Sequence, residues 1–205
     1  TPENPSIGIL NGLKQIATSY KKNFTDFLSD IDTIIHGTTH AINAIVTNKI
    51  AKTAFLCTKG HPDTLLFREG GRIEIFNFTV EYPDPYVPRS LTFEVPERTN
   101  YDGSISENLD KNHLKKIILK LKKLKIESVA VCLLWSTINP YHEKQIGEVI
   151  KNELPNIPFS LSHEVNPTLR EYRRASSTCI NASLKPIMSK YLKKLKELLF
   201  LNSFS

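Results

Sequence analysis

The chain has 205 residues, 40% of them hydrophobic and 23% charged, with a formal net charge of +6 at pH 7. This composition is that of an ordinary globular protein, long enough for one sizeable core with or without a smaller lobe, and no run of about 18 apolar residues is present to span a bilayer. The three cysteines, Cys57, Cys132 and Cys179, are odd in number, far apart and in apolar settings, which excludes a disulfide framework and a clustered metal site and fits a reducing cytoplasm.

The positive charge does not call for nucleic acid. Residues 111–125 hold seven lysines and no acid, residues 185–197 hold five lysines and one glutamate, and acids outnumber bases elsewhere. In the first window Leu114, Ile117, Ile118, Leu121 and Leu124 mark one helical face and the lysines fill the other. No aromatics interleave with them to stack bases, so a solvated helix back accounts for the charge.

In chain order, the first residue is Thr1 and the sole methionine is Met188, so the chain reads as a piece of a longer or processed product without a signal peptide. Asn4-Pro5 pairs an N-cap with a first-turn proline ahead of an amphipathic stripe, Ile7, Leu10, Leu13, Ile16, Ala17 and Tyr20. Thr33–His36 reads as a strand that runs into "HGTTHAIN" and a helix. Thr53–Thr58 is a second apolar strand, followed by "TKGHPDTL" as a strand-to-helix turn. Residues 70–105 carry Pro83, Pro85, Pro88 and Pro96 and an Asp102-Gly103 turn, and are expected to form antiparallel ribbon and extended chain inserted between two α/β parts, 1–69 and 106–205.

After the lysine-backed helix come a strand at Ser128–Leu134, a helix behind Asn139-Pro140 with Ile146, Val149 and Ile150 inward, and a strand at 159–162. Asn166-Pro167 then opens a helical pattern as far as Leu184, which Pro186 is expected to kink or restart. Alternating helices and short apolar strands predict an α/β fold with parallel βαβ connections.

Two stretches could carry chemistry. In "HGTTHAIN", Gly37 offers backbone freedom, and Thr38 and Thr39 place hydroxyls beside the free N–H groups of a starting helix; spacing alone favours a cap over a binding loop. His36 and His40 are four apart, but Gly37 interrupts any helix joining them and no carboxylate lies close in sequence, so no metal site is expected. His61, His113 and His142 stand near helix starts and read as surface residues. In residues 162–186, positions 170, 174, 177 and 181 share a helical face, which presents Arg170, Arg174, Ser177 and Asn181 to an anionic or carbonyl-bearing ligand. The commoner alternative is an Arg–Glu network on a solvated helix.

Together "HGTTHAINAIV", "KTAFLCTKGHPDTL", "VPRSLTFEVPERTNYDGSI", "VAVCLLWSTINPYHEKQIGEVI" and "SLSHEVNPTLREYRRASSTCINASLKPIM" resemble, in this order, the N-terminal region of the hydantoinase A and oxoprolinase family. The resemblance implies a partial lobe of the actin, sugar-kinase and heat-shock ATPase type. It also implies ATP-dependent hydrolysis of a cyclic amide such as a hydantoin or oxoproline, through phosphoryl activation of the amide oxygen. ATP and Mg²⁺ are then expected of the full-length protein, with neither bound tightly by these residues alone. A subunit of an ATP-dependent ketone carboxylase and a non-catalytic interaction module on the same scaffold are the alternatives.

A B-type subunit or a second copy of the chain are the expected partners, with no nucleic acid or membrane. Gly37, Thr38, Thr39 and Asn43 become candidates for a ligand-facing corner, and Arg170, Glu171, Arg174 and Ser177 for the same cleft. No catalytic residue is assigned. The chain departs from the family pattern at Ile42, where Thr is usual, at Thr47-Asn48 (Glu-Arg), at His163 (Ser) and at Arg173 (Glu), and it lacks the Asp-x-Gly-Gly-Thr phosphate hairpin.

Overall fold

The computed structural model describes residues 5–70, 74, 76–77 and 79–204. In chain order they form α1 (Pro5–Ser19), α2 (Phe24–Ser29), α3 (His40–Val46), β1 (Thr53–Thr58), α4 (Thr64–Phe67), a 3-10 turn at Arg89–Leu91, β2 (Thr92–Val95), β3 (Arg98–Thr99), β4 (Ile105–Glu107), α5 (Lys111–Lys123), β5 (Ser128–Cys132), α6 (Tyr141–Glu153), β6 (Phe159–Leu161), α7 (Ser162–Val165) and α8 (Glu171–Phe200). Two compact units result, Ile50–Pro186 and the pair Thr1–Lys49 with Ile187–Ser205. No helix among the described residues is long and apolar enough to cross a membrane.

The larger unit is built on a four-stranded sheet in the order β2-β1-β5-β6, parallel throughout. Strand side chains alternate between its faces. Ala54, Leu56, Val129 and Val131 face Leu114, Ile117, Ile118 and Leu121 of α5 and Ile146 and Ile150 of α6. Phe55, Cys57, Ala130 and Cys132 face Leu65 of α4 and Ala175, Cys179 and Ala182 of α8, where small residues let the helix lie close. Both faces are therefore covered, which is why the strands read as continuous apolar runs.

The predicted excursion at 70–105 is corrected by β2, which pairs in parallel with β1 as an edge strand of this sheet. Among the described residues the ribbon is confined to β3 and β4 around the Asp102-Gly103 turn; Gly103 sits at φ +83° and the Asp102 carboxylate accepts from the Ser104 N–H and hydroxyl.

Two further expectations change. Thr33–His36 is not a strand: no ladder partner stands beside it among the described residues, and Ile35 is 95% exposed. The helix behind Asn166-Pro167 begins only at Glu171, because Asn166 turns back, its side-chain amide donating to Ser177 Oγ (2.9 Å) and its carbonyl accepting from the Thr168 N–H (2.7 Å). The predicted Asn4 cap lies outside the described residues.

Pro186 neither ends nor restarts α8. A proline there has no N–H for the carbonyl four residues earlier, that of Ala182. The buried hydroxyl of Ser128, at the start of β5, donates to that oxygen instead (2.6 Å), and the Ala51 N–H serves the neighbouring Ser183 carbonyl (3.0 Å). Ser128→Ala should therefore cost about 1–3 kcal/mol by leaving a dry acceptor. In a Pro186→Ala background, where the new N–H reaches Ala182, the loss should shrink, a coupling that urea unfolding of the four variants measures.

The smaller unit packs Leu10, with Ile9 and Leu13, from α1 against Tyr191, Leu195 and Leu199 of α8, along with Phe24, Ile34 and Phe204. Its strandless core follows from the 3.6-residue periodicity of both helices.

Candidate functional site

In open parallel sheets the ligand crevice lies outside the carboxyl ends of the strands, where the chain reverses its direction of progress across the sheet. Here that point is between β1 and β5, since the chain steps from β1 outward to β2 and then back across to β5.

β1 runs into a turn at Thr58–His61. Gly60 takes φ +87° and its N–H donates to Glu94 Oε2 (2.8 Å), while the Thr64 hydroxyl donates to the His61 carbonyl (3.0 Å). The short α4 ends at Arg68, with φ 59° and ψ −127°, outside the left-handed well that helix ends usually adopt. Across from it, Arg170 takes φ 75° immediately before α8. These two segments enclose a cavity of about 240 Å³ lined by His61, Thr64, Arg68, Glu69, Arg170, Glu171 and Tyr172. Glu69 is held by Arg173 through both carboxylate oxygens, and that hydrogen bonding keeps its carboxyl below the usual range, with the charges of Arg173 and Arg170 adding to the effect. Arg98 reaches His61 Nε2 at 3.4 Å.

Behind the cavity lies a buried polar network. Arg174, 1% exposed, donates from Nε to Ser162 Oγ (3.1 Å), from one terminal nitrogen to the Leu133 carbonyl at the end of β5 (2.7 Å), and from the other to the Thr168 carbonyl (3.0 Å). Glu143, fully buried in α6, accepts from Leu133 N–H (2.9 Å), Ser162 Oγ (2.6 Å), His163 N–H (3.1 Å) and His163 Nδ1 (2.6 Å). Beside it Thr58 Oγ1 donates to Glu97 and accepts from the Leu134 N–H (2.9 Å), and Glu97 Oε2 meets His142 Nδ1 at 2.7 Å. His142 is thus a core residue, 1% exposed, and not the surface residue its place near a helix start predicts; the carboxylate of Glu97 offsets the cost of burying it.

The family model for the hydantoinase/oxoprolinase N-terminal region matches residues 1–154. The chain belongs to the hydantoinase/oxoprolinase family. It is 34% identical over 200 residues to the caprolactamase alpha subunit of Pseudomonas jessenii, covering 97% of this chain and 29% of the relative. The crystal structure of the ATP-dependent caprolactamase from Pseudomonas jessenii superposes with a TM-score of 0.87 at 33% identity, covering 99% of this chain and 30% of that one. The gamma subunit of acetophenone carboxylase from Aromatoleum aromaticum is 30% identical over 201 residues, covering 92% of this chain and 28% of the relative. This hydantoinase/oxoprolinase chain thus spans less than a third of the length of these relatives.

Of the residues singled out in this family member, Arg170 and Glu171 line the cavity. Arg174 does not present itself to a ligand: its three nitrogen donors are spent on the protein, so the expected four-residue face is split between cavity and scaffold. Ser177 is likewise engaged, accepting from Asn166 and donating to the Arg173 carbonyl (2.8 Å). Gly37, Thr38, Thr39 and Asn43 are exposed residues of the smaller unit and do not line this cavity.

Within the smaller unit, Thr38 Oγ1 accepts from the His40 N–H (3.1 Å) and the Asn43 amide donates to Thr39 Oγ1 (3.4 Å). Gly37 keeps φ outside the left-handed region and has open space where a Cβ would stand, so its backbone freedom is not used. His36 Nε2 meets the Tyr191 hydroxyl at 2.6 Å and the His40 ring also lies against Tyr191, which places both histidines around a phenol.

Sequence inspection missed Arg68 and Glu69, which have no motif of their own, and Glu97, His142, Glu143 and Tyr172, which sit inside the quoted family stretches without a site role attached. All three thiols are buried, and burial pushes Cys57 and Cys132 up to about 12 and Cys179 well above its usual value, which disfavours the thiolate form.

Proposed function

We propose that this chain is the N-terminal α/β part of a longer ATP-dependent amidohydrolase that opens a cyclic amide. The observation that carries it is the match, along nearly the whole chain, to an ATP-dependent caprolactamase in both sequence and fold. The cavity at the carboxyl end of β1 supports it, since that is where an open α/β sheet receives a ligand. Arg170 and Glu171 face the substrate side, Arg174 holds the 166–170 turn that carries Arg170, and the Gly37–Thr39 corner with Asn43 is a separate candidate within its own unit.

ATP would supply phosphorylation of the amide oxygen, which makes a poor electrophile open to water. ATP and Mg²⁺ are assigned to the complete protein, along with cytoplasmic residence and a B-type partner subunit. The match to a carboxylase subunit favours a second reading, ATP-dependent ketone carboxylation.

The test is product release by the complete protein with ATP, offering lactams and hydantoins in one arm and a ketone with bicarbonate in the other. Ring opening coupled to ADP formation is expected, reduced by Thr38→Ala and by Arg170→Ala. ADP formation only with ketone and bicarbonate would overturn the amidohydrolase assignment in favour of the carboxylase.

A further inference from the structure

We propose that the smaller unit binds a medium-chain carboxylate, an aliphatic body with an anionic head, in the groove between residues 34–36 and the last turns of α8. The groove encloses about 460 Å³, within the range of about 300–1,000 Å³ usual for small-ligand sites. Ile34, Leu192, Leu195, Leu199, Phe200 and Phe204 form its apolar lining. Leu195 and Leu199 are buried, whereas Leu192 and Phe200 remain about half-exposed and available to a ligand. At the helix end the Ser203 N–H donates to the Phe200 carbonyl (3.1 Å) and the Phe204 N–H to the Leu199 carbonyl (3.2 Å), with Ser203 at φ 72°. This capping turn folds Phe204 back towards Leu199 and bounds the groove there. From Tyr191, beside which His36 stands, to Leu199 the helix rises about 12 Å, close to the length of an extended ten-carbon chain.

The charge on this lining has one sign. Among the described residues its only polar side chains are His36 and Lys196, both basic, and no acid joins them. Each is held in place: His36 Nε2 meets the Tyr191 hydroxyl at 2.6 Å, and Lys196 Nζ lies over the Phe200 ring, 5.4 Å from its centroid. Lys196 has no carboxylate partner among the described residues, since the neighbouring Glu197 sits with Lys193 (4.0 Å). An apolar wall that carries cations and no acid selects a ligand with an apolar body and a negative head. A protein partner fits less well, because a standard interface takes about 20–30 residues a side, against the eight that line this groove.

Calorimetric titration of the complete protein, with each amphiphile below its micelle concentration, tests the site. The probes are decanoate, butanoate and decyltrimethylammonium. Decanoate should bind saturably, one per chain. Butanoate, six methylenes shorter, should bind at least about a hundredfold more weakly, and decyltrimethylammonium, with the opposite head, about fivefold or more weakly. Lys196→Glu should weaken decanoate about fivefold or more and strengthen decyltrimethylammonium, which inverts their order. Leu192→Asn should weaken both amphiphiles alike. Both positions are exposed, so neither substitution should move the urea midpoint.

No saturable decanoate binding, or equal binding of the two ten-carbon amphiphiles before and after Lys196→Glu, overturns the site. An amphipathic leucine–glutamate peptide that binds where decanoate does not would give the groove to a protein helix. A dimer in sedimentation that Leu192→Asn dissociates, again without decanoate binding, would give it to a second copy of the chain. Either result overturns the proposal. None of these measurements involves turnover, so the amidohydrolase reading stands or falls separately.

Discussion

Replacing Arg174 by alanine should lower the unfolding free energy by about 3–5 kcal/mol, among the largest losses any single substitution in this chain would cause. The guanidinium is buried with three acceptors around it, the carbonyls of Leu133 and Thr168 and the hydroxyl of Ser162. Truncation leaves the Thr168 carbonyl without this donor and the Leu133 carbonyl with only the Ser136 hydroxyl, and opens a cavity between β5 and α8. Lysine should not rescue it, because one ammonium cannot span acceptors that a planar fork reaches in three directions.

Arg173→Ala is the control. It breaks a two-point contact to Glu69, but that pair is largely solvent-exposed and its loss should leave the urea midpoint almost unchanged. Urea midpoints of the two variants decide the matter: equal midpoints would show that burial of Arg174 contributes nothing. The substitution should also reach the cavity, since the Thr168 carbonyl is the tie that holds the turn before Arg170.

What could be read from the sequence, and what could not, divides along physical lines. The strands at 53–58, 128–132 and 159–161 were legible because a sheet covered on both faces demands unbroken apolar runs, and the lysine-backed α5 because its inward stripe repeats every three or four residues. β2 was not, since "TFEV" is short, half-exposed and surrounded by prolines; its place at the edge comes from pairing with β1, a partner more than thirty residues away. Thr33–His36 failed for the converse reason, having strand-like residues but no strand to pair with.

At the site, Arg170 and Glu171 stood out because they head a helix, whereas Arg174, one turn on, looked the same in sequence. Only packing distinguishes the arginine that faces the cavity from the one the core encloses. The polar network was hidden more deeply. Glu97 comes from a different segment than His142 and Glu143 of α6, and hydrophobic patterning says nothing about carboxylates that the core accepts because donors surround them.

Glu143 provides the sharpest case of such acceptance. Its two oxygens take hydrogen bonds from the backbone N–H groups of Leu133 and His163, from the Ser162 hydroxyl and from His163 Nδ1, so every neighbour within bonding distance is a donor. Glu143→Ala should cost about 3–5 kcal/mol by leaving those donors unpaired in the core. Glu143→Gln, nearly identical in shape, should cost almost as much, because its amide brings two hydrogens into a shell that already supplies one at each position.

His163→Ser should by contrast be mild: it removes one of four donors and keeps the backbone N–H on the same oxygen. The expected order in urea unfolding is therefore Ala close to Gln at position 143, both far below His163→Ser. A glutamine variant as stable as the parent would mean that at least one of the four neighbours does not donate. The carboxylate would then no longer account for how the ends of β5 and β6 are held together beneath the cavity.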